Sequence, residues 1–180
     1  MTRSMREHAT ISGPMLNEVA MPEKLKLPLT GGCQCGALKY ELSEPPLLST
    51  ACHCTNCQRI TASAFAVTFV VREETMSYVK GAPKEVRWKA DSGVTRVGYF
   101  CPDCGVRIAH AQEPSNGFYS LRAGTLDEQR LARPAAHGWL QSKAAWFTPP
   151  ADDLQFDRQP ADYAPIAALW RERMAAIFEL

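Results

Sequence analysis

GGCQCGALKYEL, residues 31–42, places two cysteines two positions apart just ahead of an alternating segment. Leu38, Tyr40 and Leu42 share one face while Lys39 and Glu41 share the other, the period of a half-buried strand. The same texture runs on through the chain from Leu29. FAVTFVV (65–71) sets Phe65, Val67, Phe69 and Val71 at a period of two, and EVRWK (85–89), VTRVGYF (94–100), VRIAH (106–110) and FYSLRAG (118–124) follow it. Gly81-Ala82-Pro83, Asp91-Ser92-Gly93 and Asn116-Gly117 supply turns between them. Short strands separated by turns predict a mainly β, antiparallel domain over 29–160 rather than βαβ units.

The two ends differ from this middle. Residues 1–28 hold Gly13, Pro14, Pro22 and Pro28 with no sustained period, and are expected to form a partly disordered tail. The last stretch, 161–180, changes period: Ile166, Leu169, Trp170, Met174 and Ile177 follow helical spacing. Asp162 is the expected N-cap, with Pro165 in the first turn and the apolar stripe packed on the sheet. At 180 residues the chain suits one domain. Its 20 Lys+Arg against 19 Asp+Glu give no electrostatic reason for a nucleic-acid or anionic-membrane partner. No apolar run is long enough to span a bilayer, and the N-terminus does not read as a secretory signal. The expected compartment is the reducing cytoplasm, where thiols stay free to bind metal.

All seven cysteines fall into three groups: Cys33 and Cys35, then Cys52, Cys54 and Cys57 in ACHCTNC, then Cys101 and Cys104 in FCPDCG. Disulfides fit poorly, because the number is odd and a C-x-C pair bridges internally only with strain. Clustered thiolates select zinc. CPDCG has the form of a zinc knuckle, with Gly105 letting backbone amides approach the sulfurs. Such a knuckle brings two ligands and needs two more. Joined to Cys33 and Cys35, Cys101 and Cys104 make a closed, structural four-cysteine site. Cys52, Cys54 and Cys57 then remain as three ligands with a vacant fourth position, the pattern of a catalytic zinc. Two alternatives stay open. A side chain such as His53, His110 or His137 closes the site, or Cys54 and Cys57 act as a metal-free redox pair.

These segments resemble the glutathione-dependent formaldehyde-activating enzyme (GFA) family. The resemblance is carried by GGCQCGALKYEL, ACHCTNCQRITASAFAV, DSGVTRVGYFCPDCGVRI, FYSLRAGTLDE, PAAHGWLQSKAAWF and DDLQFDRQP, in the family's order, over roughly residues 29–160. It implies a β-rich, tent-like fold with two zinc ions per chain. The structural one would be held by Cys33, Cys35, Cys101 and Cys104, the active-site one by Cys52, Cys54 and Cys57. The implied reaction joins glutathione to formaldehyde, formally as a carbon–sulfur lyase. One departure stands out: where the family commonly has glycine before Ser-Ala-Phe, this chain has Ala62.

Three thiolates on one Zn²⁺ leave about one negative charge, so a cation near the site would help an anionic tripeptide bind. Arg59, two residues past Cys57, is the candidate for that role, with a solvated surface arginine as its plainer reading. His53 is a candidate proton shuttle, or a hydrogen-bonding residue behind the ligands. Trp139 and Trp146 are expected in the core. Two other functions share these residues: a non-catalytic zinc-stabilised binding module, and a zinc lyase acting on a different thiol or carbonyl adduct.

Overall fold

Leu38, Tyr40 and Leu42 are buried together, as their alternation requires. The computed structural model describes residues 24–90 and 92–178, so the tail expectation falls largely outside the described residues, as does Asp91 of the expected turn. Strand β2 (Lys39–Leu42) lies between β1 (Leu29–Gly32) and β5 (Met76–Lys80), antiparallel to both. Gly31 is required by close approach, since a Cβ there would lie 2.4 Å from the Tyr40 hydroxyl oxygen. That hydroxyl instead bonds the Thr125 hydroxyl at 3.0 Å.

The second sheet has eight strands. In addition to β3 (Leu48–Cys52) and β4 (Ala66–Arg72), it contains β6 (Lys84–Lys89), β7 (Thr95–Phe100), β8 (Arg107–Glu113) and β9 (Phe118–Arg122). Two short late strands, β10 (Ala136–Gly138) and β11 (Leu154–Gln155), complete the order β11-β10-β3-β4-β9-β8-β7-β6. Here the antiparallel expectation needs correction, because β10 runs parallel to both β3 and β11. A parallel neighbour needs a long crossover, and the chain between β9 and β10 supplies it. The register sets Gly138 opposite Cys52 and His137 opposite Ala51.

Alternation also misled at β4. This central strand is covered on both sides, with Phe69 and Val71 buried on one face and Ala66 and Thr68 on the other. Phe65 precedes the strand and joins an aromatic cluster with His53 and Phe147, at 4.9 and 5.1 Å between ring centroids.

The core is shared by three layers. Leu29, Leu38, Tyr40 and Leu42 of the first sheet meet Phe69, Ile108 and Leu121 of the second. Helix α2 (Ala164–Met174) adds Ile166, Trp170 and Met174. Each such side chain, once buried, contributes about 1.5–3 kcal/mol. Trp170 also donates to the Leu131 carbonyl at 3.3 Å. The N-cap of this helix is Tyr163 rather than the expected Asp162, whose carboxylate instead accepts from the Ala164 amide at 2.9 Å; Ile177 falls in the turn after the helix. The expected core tryptophans are corrected. Trp146 is 74% exposed, and Phe147 takes the inward place beside it. Trp139 is half-buried at a positive φ of 61°, with its indole donating to Gln159 at 3.0 Å.

Candidate metal centres

The turn after β1 and the turn after β7 meet in space. Cys33 leaves β1 with its amide bonded to the Leu38 carbonyl at 3.0 Å, and its sulfur accepts from the Leu38 amide at 3.2 Å. Cys101 closes an equivalent turn, with its amide on the Val106 carbonyl at 2.9 Å and its carbonyl taking the Gly105 amide at 3.0 Å. Gly105 has a φ of 72°, which a side chain rarely adopts. The result brings the sulfurs of Cys33, Cys35, Cys101 and Cys104 within 4.8 Å of one another. Amides of Val106 and Cys35 hold the Cys104 thiol below its ordinary pKa.

The second group forms at the join of β3 and helix α1 (Thr55–Thr61). Cys52 ends the strand, Cys54 is the N-cap whose sulfur accepts from the Cys57 amide at 3.4 Å, and Cys57 lies in the first helical turn. Capping by a sulfur in place of a hydroxyl or carboxylate turns the start of the helix into a ligand set. These three sulfurs also lie within 4.8 Å of one another. Among the described residues, neither His53, His110 nor His137 joins the group as a fourth ligand. Hydrogen bonds from Cys52, then Cys57, push the Cys54 thiol far down, and the same contacts push Cys52 up. Thiols packed this way cannot all ionise without a cation to share.

The donor sets fit zinc. A tetrahedron with Zn–S near 2.3 Å has sulfurs about 3.8 Å apart. Cys33–Cys35 and Cys35–Cys101 stand at 3.5 and 3.8 Å.

His53, between two of the trio, is fully buried and faces inward. The buried Asp153 carboxylate sets its tautomer. Asp153 accepts from His137 Nε2 at 3.0 Å, and from Arg173 at 2.6 Å on its other oxygen. His137 Nδ1 is therefore an acceptor, and His53 Nε2 donates to it at 2.9 Å. His53 Nδ1 is left as a bare, buried acceptor with no partner. Burial, the largest cause, lowers the His53 pKa to about 4. Gln58 locks the segment from the helix side, donating to the carbonyls of His53 at 2.7 Å and Ser142 at 2.8 Å.

A cleft of about 370 Å³ opens between α1, the start of β4 and the knuckle. Another of about 380 Å³ is lined by residues of 24–30 and 127–130; neither cleft has a cysteine in its lining, but only the first includes residues of α1, the helix that carries Cys57. Arg59 is exposed on α1 and does not line the first cleft. Two arginines that the sequence did not single out, Arg107 and Arg122, do line it. Asp153 was also missed, since it lies 100 residues from His53 with no local pattern to link them.

Fold and site together define a mainly β protein with one four-cysteine and one three-cysteine group, both suited to holding metal. The chain belongs to the GFA family, whose model, described as glutathione-dependent formaldehyde-activating enzyme, matches residues 28–142. No curated protein matches the chain. A Rhodobacter sphaeroides protein of known crystal structure is similar, with 20% identity and a TM-score of 0.45 over 71% of this chain and 98% of its own.

Proposed function

We propose that this chain joins a small thiol such as glutathione to a small aldehyde such as formaldehyde at Cys52, Cys54 and Cys57. In this reading Cys33, Cys35, Cys101 and Cys104 hold a second, structural zinc that pins β1 to the β7–β8 turn. The observation that carries it is the three-sulfur group with no fourth protein ligand among the described residues. It lies within the segment that matches the family. Bound by three thiolates, zinc would supply a positive centre that lowers the pKa of an incoming thiol.

The reaction is an addition, with no oxidant. The S–H bond breaks, a C–S bond forms at the carbonyl carbon, and the carbonyl oxygen ends as a hydroxyl. The chain's part is to hold the reactants and manage one proton. His53 Nδ1, left without a partner while Nε2 donates to His137, is in this reading the acceptor available to the reacting proton. Phe65 and Phe147 wall it off from water. Run in reverse, the same step is carbon–sulfur bond cleavage, hence the lyase class. The free thiols of all seven cysteines fit a reducing, cytoplasmic setting.

The test is calorimetric titration of zinc-loaded protein with glutathione, followed by NMR detection of the adduct formed from labelled formaldehyde. Binding and adduct formation in the wild type, both lost in Cys54→Ser, are expected. Glutathione that neither binds nor reacts would overturn the thiol assignment.

A further inference from the structure

Arg107 and Arg122 are each only 7% exposed, and no carboxylate pairs with either among the described residues. Arg107 opens β8 and Arg122 ends its neighbour β9. Arg107 Nη2 and Arg122 Nε and Nη1 are buried with no hydrogen-bond partner. Among the described residues Arg107 makes one hydrogen bond, from Nε to the Ala109 carbonyl at 3.5 Å, and its guanidinium is seated over the Trp88 ring at 4.7 Å. Burial, then the Arg122 charge, holds its pKa down at about 9. Two cations that repel one another in a dry site are costly unless an anion completes them.

Both line the cleft walled by α1, the helix that carries Cys57. Its wall includes Ile60 and Thr61 of α1, and the Thr61 hydroxyl donates to the Cys57 carbonyl at 2.8 Å. Phe65, which packs on His53, and Phe100, which lies 5.6 Å from the Arg107 guanidinium, make the rest largely apolar.

Building on the thiol–aldehyde reading, we infer that Arg107 and Arg122 form a carboxylate-binding subsite, taking a carboxylate of the molecule whose reacting group reaches Cys52, Cys54 and Cys57. Three buried N–H-bearing nitrogens match the acceptor sites of one carboxylate. Charge selects the monoanion. Three thiolates around one divalent ion leave about one negative charge, two arginines overcompensate by about one, and a single carboxylate brings the sum to zero. A phosphate dianion would set a second negative charge against the thiolates.

The experiment uses zinc-loaded full chain and follows the arginine Nε–H resonances during titration with acetate, propionate and inorganic phosphate. Expected are shifts of the Arg107 and Arg122 signals with acetate and propionate, weaker effects of phosphate, and at least a tenfold loss of propionate affinity in Arg122→Gln. Arg122→Lys, which keeps the charge and loses the fork, should fall between. Zinc content and melting temperature of both variants report whether they fold. Carboxylates that leave the arginine signals unmoved, phosphate binding in preference to them, or unchanged affinity in a folded Arg122→Gln would each overturn the subsite. Because no thiol is present, carboxylate binding without glutathione turnover keeps the subsite and removes glutathione. Turnover without carboxylate binding does the reverse.

Discussion

His53 Nε2 lies 2.9 Å from His137 Nδ1, and behind that contact the His137 ring is fixed by Asp153 at 3.0 Å. A carboxylate only accepts, so the proton positions along the row are determined from one end. The Arg173 bond to Asp153 ties the same row to α2, far from the cysteines in sequence.

Asp153→Asn should therefore do two things. Its amide can donate to His137 Nε2 and reverse the row, so that the nitrogen-15 spectrum shows a protonated His53 Nδ1. It also removes one of the two carboxylates paired with Arg173, leaving Asp152 at 3.1 Å, at a cost of about 1 kcal/mol, or roughly 2–4 °C in melting temperature. An unchanged His53 spectrum would refute the tautomer assignment.

Acid should weaken the fold through His53. Its folded pKa is about 4, against an ordinary 6.5, so between those values the unfolded chain binds the extra proton. Stability is fully present above pH 6.5 and is lost as pH falls toward 4, by up to about 1.4 kcal/mol per pH unit. Urea melts across that range, compared with His53→Gln, check the sign: the variant should have the shallower slope.

The two cysteine groups should fail differently. Cys101→Ser is expected to unfold the domain, because zinc binding at a closed site is folding free energy. Cys54→Ser should keep the fold, with elemental analysis showing one zinc fewer than in the wild type. Equal destabilisation of the two variants would show that the division into structural and catalytic groups is wrong.

Ala62 sits at the C-cap of α1 with φ 48° and ψ 38°, a left-handed conformation that glycine adopts without penalty. Ala62→Gly should raise stability by roughly 1 kcal/mol, measured by urea denaturation, despite the greater freedom of its unfolded chain. No gain would mean the local strain is relieved elsewhere.

Arg122→Met should stabilise the ligand-free protein, since it removes a buried charge with no carboxylate partner. The expected rise is about 1–3 kcal/mol, read as a higher melting temperature. A loss would show that Arg122 serves the fold itself.

What was legible in the sequence was local. Cysteines two or three residues apart announce metal sites because a tight turn alone brings them together, and alternation marks β2 because only one of its faces is buried. Alternation failed at β4, where both faces are covered, and it gave no warning that β10 would run parallel. The His53–His137 contact spans 84 residues, so no window holds it. Arg107 and Arg122 look like polar positions of ordinary strands, and only the packing of β8 against β9 and α1 reveals that they are buried. Trp146 misleads in the opposite way, as a large apolar residue in a connection where Phe147 already fills the inward place.

The parallel pairing of β3 with β10 also bears on how the molecule is made. Cys52, Cys54 and Cys57 leave the ribosome some 80 residues before β10, one of the two strands that flank Cys52, and before the Arg173 that braces it. Contacts so distant in the chain close slowly. During synthesis the three thiols are thus unshielded over a long interval, open to oxidation or to the wrong ion. The synthesis of β10 and of Arg173 determines when that exposure ends.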